Sequence, residues 1–248
     1  MTLWRLEMLR LVRTHRWTII VGVYAAFAVI GAVSARYMGE IMTNFAADIV
    51  VEVPDPRPVD GVGQFLGNVT QIGLLAVVIV AAGSLTIDAR TEVAAFLRGR
   101  VERARTLLWP RYVAVSALAV FSLVLGTAIT WTLTGTLIGG LPAAEMIVGT
   151  LYGSVYLLFA TAVVAAVAGL VRGTTATVFL SLLALLLLPV VGLFPPVQPW
   201  LPSHLVGAVA SMVEGTPASE YIRATAVTVG AIPALLAIAA SGLERREL

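Results

Sequence analysis

Polar and charged residues along this chain fall into short clusters separated by six long apolar runs. The runs extend from Trp17 to Ala35, Val69 to Ile87, Tyr112 to Ile138, Met146 to Val171, Thr174 to Leu193 and Ala224 to Leu243. A hydrocarbon layer about 30 Å thick takes roughly 20 helical residues to cross, so each run is long enough to span it. Backbone groups in hydrocarbon must be paired within their own segment, which makes the spans helices. The alternating pattern of a membrane β-barrel is absent. The expected fold is an all-α polytopic membrane domain over 1–248 with six transmembrane helices. Small residues at Ala32, Ser34 and Ala35 could mimic a signal-peptide cleavage site, but the first run and its basic leader are longer than such a peptide uses.

The segments between the runs have patterns of their own. In residues 1–16, Glu7, Arg10, Arg13 and Arg16 form one stripe, with Trp4, Met8, Leu11 and Val12 on the other side. This predicts an amphipathic helix lying in the membrane interface. Arg36 to Leu66 reads as the longest outer loop, stiffened by Pro54, Pro56 and Pro58. In 88–109, Val93, Phe96, Leu97, Val101, Ala104, Leu107 and Leu108 recur every three or four residues among Arg and Glu, a strong amphipathic-helix pattern weakened at Gly99 and Arg100. By periodicity alone it could anchor on lipid or dock a soluble partner. In 194–222 a proline cluster ends the fifth run. Ser203 is then placed to cap a short, almost wholly apolar helix from His204 to Val213. Too short to span, that helix reads as re-entrant or as lying on the outer leaflet.

Charge sets the expected orientation. Arg5, Arg10, Arg13, Arg16, Arg90, Arg98, Arg100, Arg103, Arg105, Arg111, Arg172, Arg245 and Arg246 fall on one side of a six-span path, against Arg36, Arg57 and Arg223 on the other. The positive-inside rule then places both termini in the cytoplasm. Only 12% of the residues are charged and the net charge is +2, which argues against a nucleic-acid partner. Every basic residue other than the two His is Arg. Without Lys the chain cannot complete a Walker-type phosphate loop. It also has no Cys, and so no disulfide or thiolate metal site.

Within the spans, Gln64, Asn68 and Gln71 share a face, and so do Ser116, Thr127, Thr130 and Thr134. Gln64, Asn68, Gln71, Thr127, Thr130 and Thr134 are candidates to line a pathway, against the alternative of interhelical hydrogen bonding. Gly149 with Gly153, and Gly169 with Gly173, permit close helix approach. Pro189 should loosen the end of the fifth span, and with Trp200 and His204 it is a candidate outer gate. No ionisable residue lies in the middle of a run, which argues against proton-driven transport. His15 and His204 fall on opposite sides, no H-E-x-x-H helix is present, and acidic residues are too dispersed for a magnesium–phosphate site. No enzyme activity and no metal site are expected on this chain.

The order of parts resembles the permease subunits of type-two ATP-binding cassette exporters: an interfacial N-terminal helix, six spans, an amphipathic helix after span two, a short loop at Arg172, an apolar insertion before span six, and the charged tail Glu244-Arg245-Arg246-Glu247. Phe96-Leu97 and Arg103 match parts of the family's pattern after span two, while Arg98-Gly99-Arg100 stands where its turn would be, and its Gly-Thr and Pro are missing. The resemblance implies a bacterial inner-membrane permease that forms the pathway with a second permease subunit, identical or homologous. Two separate P-loop ATPase subunits would carry ATP and Mg, with no cofactor on this chain. It also implies a coupling helix carrying Glu92, Phe96, Leu97, Arg98, Arg100, Val101 and Arg103. A hydrophobic or lipid-like small molecule is the expected substrate. A non-transporting scaffold or immunity subunit and an ion-coupled carrier are the alternatives.

Overall fold

A computed structural model describes residues 3–45, 55–86 and 104–245. Among these the protein is all-helical, and six helices are long and apolar enough to cross a membrane. The elements are α1 (Leu3–Arg13), α2 (Arg16–Phe45), α3 (Pro58–Asn68), a π-helical turn (Val69–Gly73), α4 (Leu74–Leu85), α5 (Ala104–Leu137), α6 (Ala143–Leu170), α7 (Thr174–Val191), a short α8 (Ala208–Val213) and α9 (Ile222–Arg245). Spans one to six are α2, α3 through α4, α5, α6, α7 and α9. Span four is the central post: 78% of its apolar window is buried, against 17% for span five, whose Phe179, Leu183 and Leu186 are left exposed.

Two ends of the bundle can be told apart by contacts. At the near end Arg16 donates to Ser84 Oγ (3.1 Å) and Arg111 Nε to Glu7 Oε1 (3.0 Å). At the far end Trp131 Nε1 donates to the Leu141 carbonyl (3.3 Å), and Tyr152 Oη to the Ala218 carbonyl (2.9 Å).

Small residues set the helix crossings. A Cβ on Gly169 would stand 2.6 Å from the Ala239 carbonyl oxygen, and one on Gly242 would stand 2.5 Å from the Gly169 oxygen. Backbones of α6 and α9 therefore touch, as small-residue membrane packing allows. A Cβ on Gly149 would stand 2.5 Å from Val209 Cα, so α8 lies directly on α6. Gly153 meets Leu123 Cδ2 more loosely, at 3.1 Å. Of the pair expected to permit close approach, only Gly169 does so, against Ala239 and Gly242; Gly173, with φ +92° and nothing within 4 Å of its Cβ, forms the turn into α7.

The largest departure from the hydropathy reading is the start of span two. Residues Pro58 to Leu66, expected in a loop, are helical and continuous with the span. The local chemistry explains it. Pro58 occupies the first helical position, where its fixed φ fits and its missing N–H is not needed. The Asp60 carboxylate accepts from the Arg57 backbone N–H at 2.8 Å. Val62, Phe65, Leu66 and Val69 then form the buried face. Similarly, residues 104–109, read as the end of the loop after span two, begin α5, which runs through Pro110 with Leu107 and Leu108 buried.

The N-terminal helix forms as expected, but its faces differ from the periodicity reading. The positive φ of His15 (52°) breaks the chain between α1 and α2. α1 then packs on α5, with Leu11 buried, Glu7 turned inward to Arg111 and Trp4 exposed. The polar stripe thus serves an internal ion pair as well as the surface.

Candidate functional site

The far end contains a surface-opening groove of about 1020 Å³, at the upper limit of ordinary small-molecule sites. Three elements build it. The last turns of α2 contribute Ala35, Arg36, Met38, Gly39 and Glu40. The second wall is Asp55, Pro56 and one face of α3 into the π turn: Val59, Asp60, Gly63, Gln64, Gly67, Asn68 and Gln71. Ala210 and Glu214, from α8 and its C-cap, complete it.

The α3 wall follows from its sequence. Positions 60, 64, 67, 68 and 71 recur at helical spacing, so they share a face opposite the apolar Val62, Phe65, Leu66 and Val69. Gln64 and Asn68 are half-buried and Gln71 is exposed. The Asn68 side chain donates to the Gln64 carbonyl at 2.8 Å, which fixes its rotamer along the wall. Cβ atoms on Gly63 or Gly67 would meet nothing within 4 Å, so the groove wall there is bare, open backbone. Glu40, Asp55, Asp60 and Glu214 outnumber Arg36 as lining charges. Asp60 is already engaged by Arg57, at 3.2 Å through the guanidinium.

The structure brings Gln64, Asn68 and Gln71 together on this wall but places the hydroxyl set elsewhere. Thr127, Thr130 and Thr134 are buried between helices and do not line the groove. Thr130 Oγ1 donates to the Gly126 carbonyl of its own helix at 3.0 Å, and Thr134 packs against Gly61. Ser116 and Thr161 share a 2.7 Å hydrogen bond that joins α5 to α6.

The insertion before span six comprises 3₁₀ turns at Gln198–Trp200 and Pro202–Leu205, followed by α8. The single helix expected from His204 to Val213 is therefore broken at Val206 and Gly207, and no side-chain cap bond comes from Ser203. α8 buries Ala208, Val209 and Met212. It ends in a Schellman turn: Gly215 has φ +103°, Thr216 N donates to the Ser211 carbonyl at 2.9 Å, and Gly215 N donates to Met212 at 3.0 Å. His204 stacks on Tyr221 (4.9 Å), which packs on Tyr152 (5.2 Å), tying the insertion to spans four and six. Trp200 is half-exposed beneath the Arg223 guanidinium, 5.5 Å away. Pro189 lies exposed inside α7, two residues before its end.

Of the expected ATPase-coupling positions, Glu92, Phe96, Leu97, Arg98, Arg100, Val101 and Arg103 lie outside the described residues. Among the described residues no group of three or more His, Asp or Glu is placed to hold a metal ion. Helical spacing alone identifies the amide face but not Asp60, Gly63 and Gly67, because they precede the apolar run that begins at Val69. Pro58 and Asp60, a helix-start signature, were the signal that could have found them. No protein-family model, no curated protein and no solved structure matches this chain. It is a multi-pass membrane protein by the length and composition of its helices.

Proposed function

We propose that the chain is the permease subunit of a type-two ATP-binding cassette exporter in a bacterial inner membrane, with both termini in the cytoplasm. The observation that carries this reading is a convergence at the near end. α1 is docked there through Glu7 and Arg111, and Leu85 and Ala104, which flank the basic segment 87–103, belong to the same end. A soluble motor gripping that segment would act on spans two and three directly, with α1 as a third point of attachment. Thirteen of the sixteen Arg residues fall on that side of the path, which favours the cytoplasm for it. ATP and Mg would reside on two partner P-loop ATPases, since this chain has no Lys to hold a phosphate.

At the far end, α8 and the His204–Tyr221–Tyr152 stack would form a re-entrant cap over the exit. Half-exposed amides within a spanning helix are poorly matched to lipid, and the open backbone at Gly63 and Gly67 admits a close neighbour. A second permease subunit, identical or homologous, would cover this wall and close the groove into a pathway. The polar groove on an otherwise apolar bundle favours an amphiphile, a lipid-like tail with a polar head, as cargo. Co-expression with the genes that neighbour its own tests the reading. The expected result is a detergent-stable complex of two permease and two ATPase subunits. Recovery of this protein without any ATPase would refute it.

A further inference from the structure

Span five does not end at a charged boundary. α7 has 18 residues, about 27 Å at 1.5 Å per residue, and the hydrocarbon layer is about 30 Å thick. The chain beyond it stays apolar: no Asp, Glu, Lys or Arg occurs from Gly173 to Val213. Residues 192–201 are turns and a short 3₁₀ stretch rather than a regular helix, yet they present large apolar side chains outward. Leu193 is 78% exposed and Phe194 66%, and Val197, Trp200 and Ile222 of α9 are exposed as well. They follow directly on the side chains that α7 leaves uncovered, Leu186 and Val190 among them. In water this would be a large uncompensated apolar patch. The backbone of the segment is also prepared for a dry setting. The N–H groups of Leu193, Phe194, Val197, Gln198, Trp200 and Leu201 each donate to a carbonyl three or four residues back, and the prolines at 195, 196 and 199 have none to satisfy. Unpaired donors are what keep irregular chain away from lipid, and this segment has none.

We propose that residues 192–201 are a membrane anchor lying at the acyl–headgroup boundary of the far-end leaflet, with Leu193, Phe194 and Val197 among the upper acyl chains and the Trp200–Arg223 pair at the headgroup phosphates. The Arg223 guanidinium sits 5.5 Å above the Trp200 ring, and both side chains are exposed. An indole is at home at the membrane–water boundary, and a guanidinium beside it offers a fork of donors to phosphate oxygens. Gln198, the other polar side chain of the segment, is exposed two residues from Trp200. The residue types favour lipid over a second protein as the occupant. Packing surfaces between membrane helices use small residues, as Gly149 and Gly169 do in this bundle, whereas this surface is Leu, Phe, Val and Trp. The insertion is then held from two sides, by lipid along 192–201 and by α6 under α8. The inference requires neither the transport reading nor an assignment of which side the far end faces.

Spin labelling tests it, since the chain has no Cys. Leu193→Cys, Phe194→Cys and Val197→Cys are made singly in the full chain, labelled with a nitroxide and reconstituted into phosphatidylcholine–phosphatidylglycerol vesicles. Ser219→Cys, exposed at the same end, is the aqueous reference. All four positions are exposed, so the substitutions remove no core packing. Oxygen enters acyl chains and a polar nickel chelate is excluded from them, so the ratio of oxygen to nickel collision rates should be about tenfold higher at 193, 194 and 197 than at 219. Equal ratios would place the segment in water and overturn the proposal. Slow collision with both reagents would mean that a second copy or another protein covers the surface, which overturns it equally. A label at Trp200→Cys should give an intermediate ratio; one as low as that of Ser219 would overturn the headgroup assignment.

Discussion

The Glu7–Arg111 pair offers the sharpest test of how the near end is held. The Arg111 side chain is 7% exposed and Glu7 16%, and Arg111 Nε lies 3.0 Å from Glu7 Oε1. Arg10, 3.7 Å from Glu7 and 45% exposed, adds little. Removing one partner of a buried pair costs about 3–5 kcal/mol, because the other charge is left stranded. Arg111 sits near the start of a span and can extend toward headgroups, so about 3 kcal/mol, the low end, applies to Glu7→Ala. The loss falls on the docking of α1 against α5, not on the whole bundle, since the other helices pack without it. At about 1.4 kcal/mol per tenfold, the undocked fraction rises roughly a hundredfold. The chain has no Cys, so Leu11→Cys, at a buried position of α1, becomes a unique reporter. Its reaction with a water-soluble maleimide should accelerate by about that factor when Glu7→Ala is added. Replacing both partners, with Glu7→Met and Arg111→Met, should restore slow labelling, because a buried pair exchanged for apolar groups is near neutral. Labelling that changes less than twofold in the single variant, or stays fast in the double, would refute the assignment of α1's docking to this pair.

Glycine substitutions should separate into two classes when thermal stability is measured in detergent. Gly149→Ala and Gly169→Ala press a methyl into backbone and should each cost about 1–3 kcal/mol, whereas Gly63→Ala and Gly67→Ala face open space and should leave the monomer unchanged. Ser116→Ala should cost only about 0.6 kcal/mol by the same measurement, because Thr161 retains bonds to the Leu157 and Leu158 carbonyls. On the proposed function, charge reversal at Arg98, Arg100 and Arg103 together should abolish stimulation of the partner ATPase while leaving insertion intact. Unaltered stimulation would exclude that segment as the coupling element.

The spans were legible because hydrocarbon imposes length and apolarity on each helix independently of its neighbours. Their ends were not, because a helix continues past the apolar run wherever local chemistry supports it, as Pro58 and Asp60 do at span two. The amide face at Gln64, Asn68 and Gln71 could be read from spacing alone. Its groove could not, since Arg36, Glu40 and Glu214 reach it from elements distant in sequence. Likewise, Glu7 looked like one member of an exposed stripe because nothing local announces Arg111, over a hundred positions away. The insertion's apolar residues Ala208, Val209 and Met212 are buried, but how closely α8 seats on span four depends on Gly149 leaving room for Val209. That is information carried by span four.

The π turn at Val69–Gly73 also acts as a phase shifter. One residue of an α-helix turns the chain by about 100°, so an extra residue accommodated in one wide turn rotates everything upstream by that amount relative to α4. Without it, the amide row of α3 would point along a different bearing, away from α2 and α8. Span two is thus two half-helices set out of step, each addressing a different neighbour: α4 the central post, and α3 the groove. Deleting a single residue from this turn would leave composition and hydropathy almost unchanged, yet it would turn the polar wall away from its own cavity.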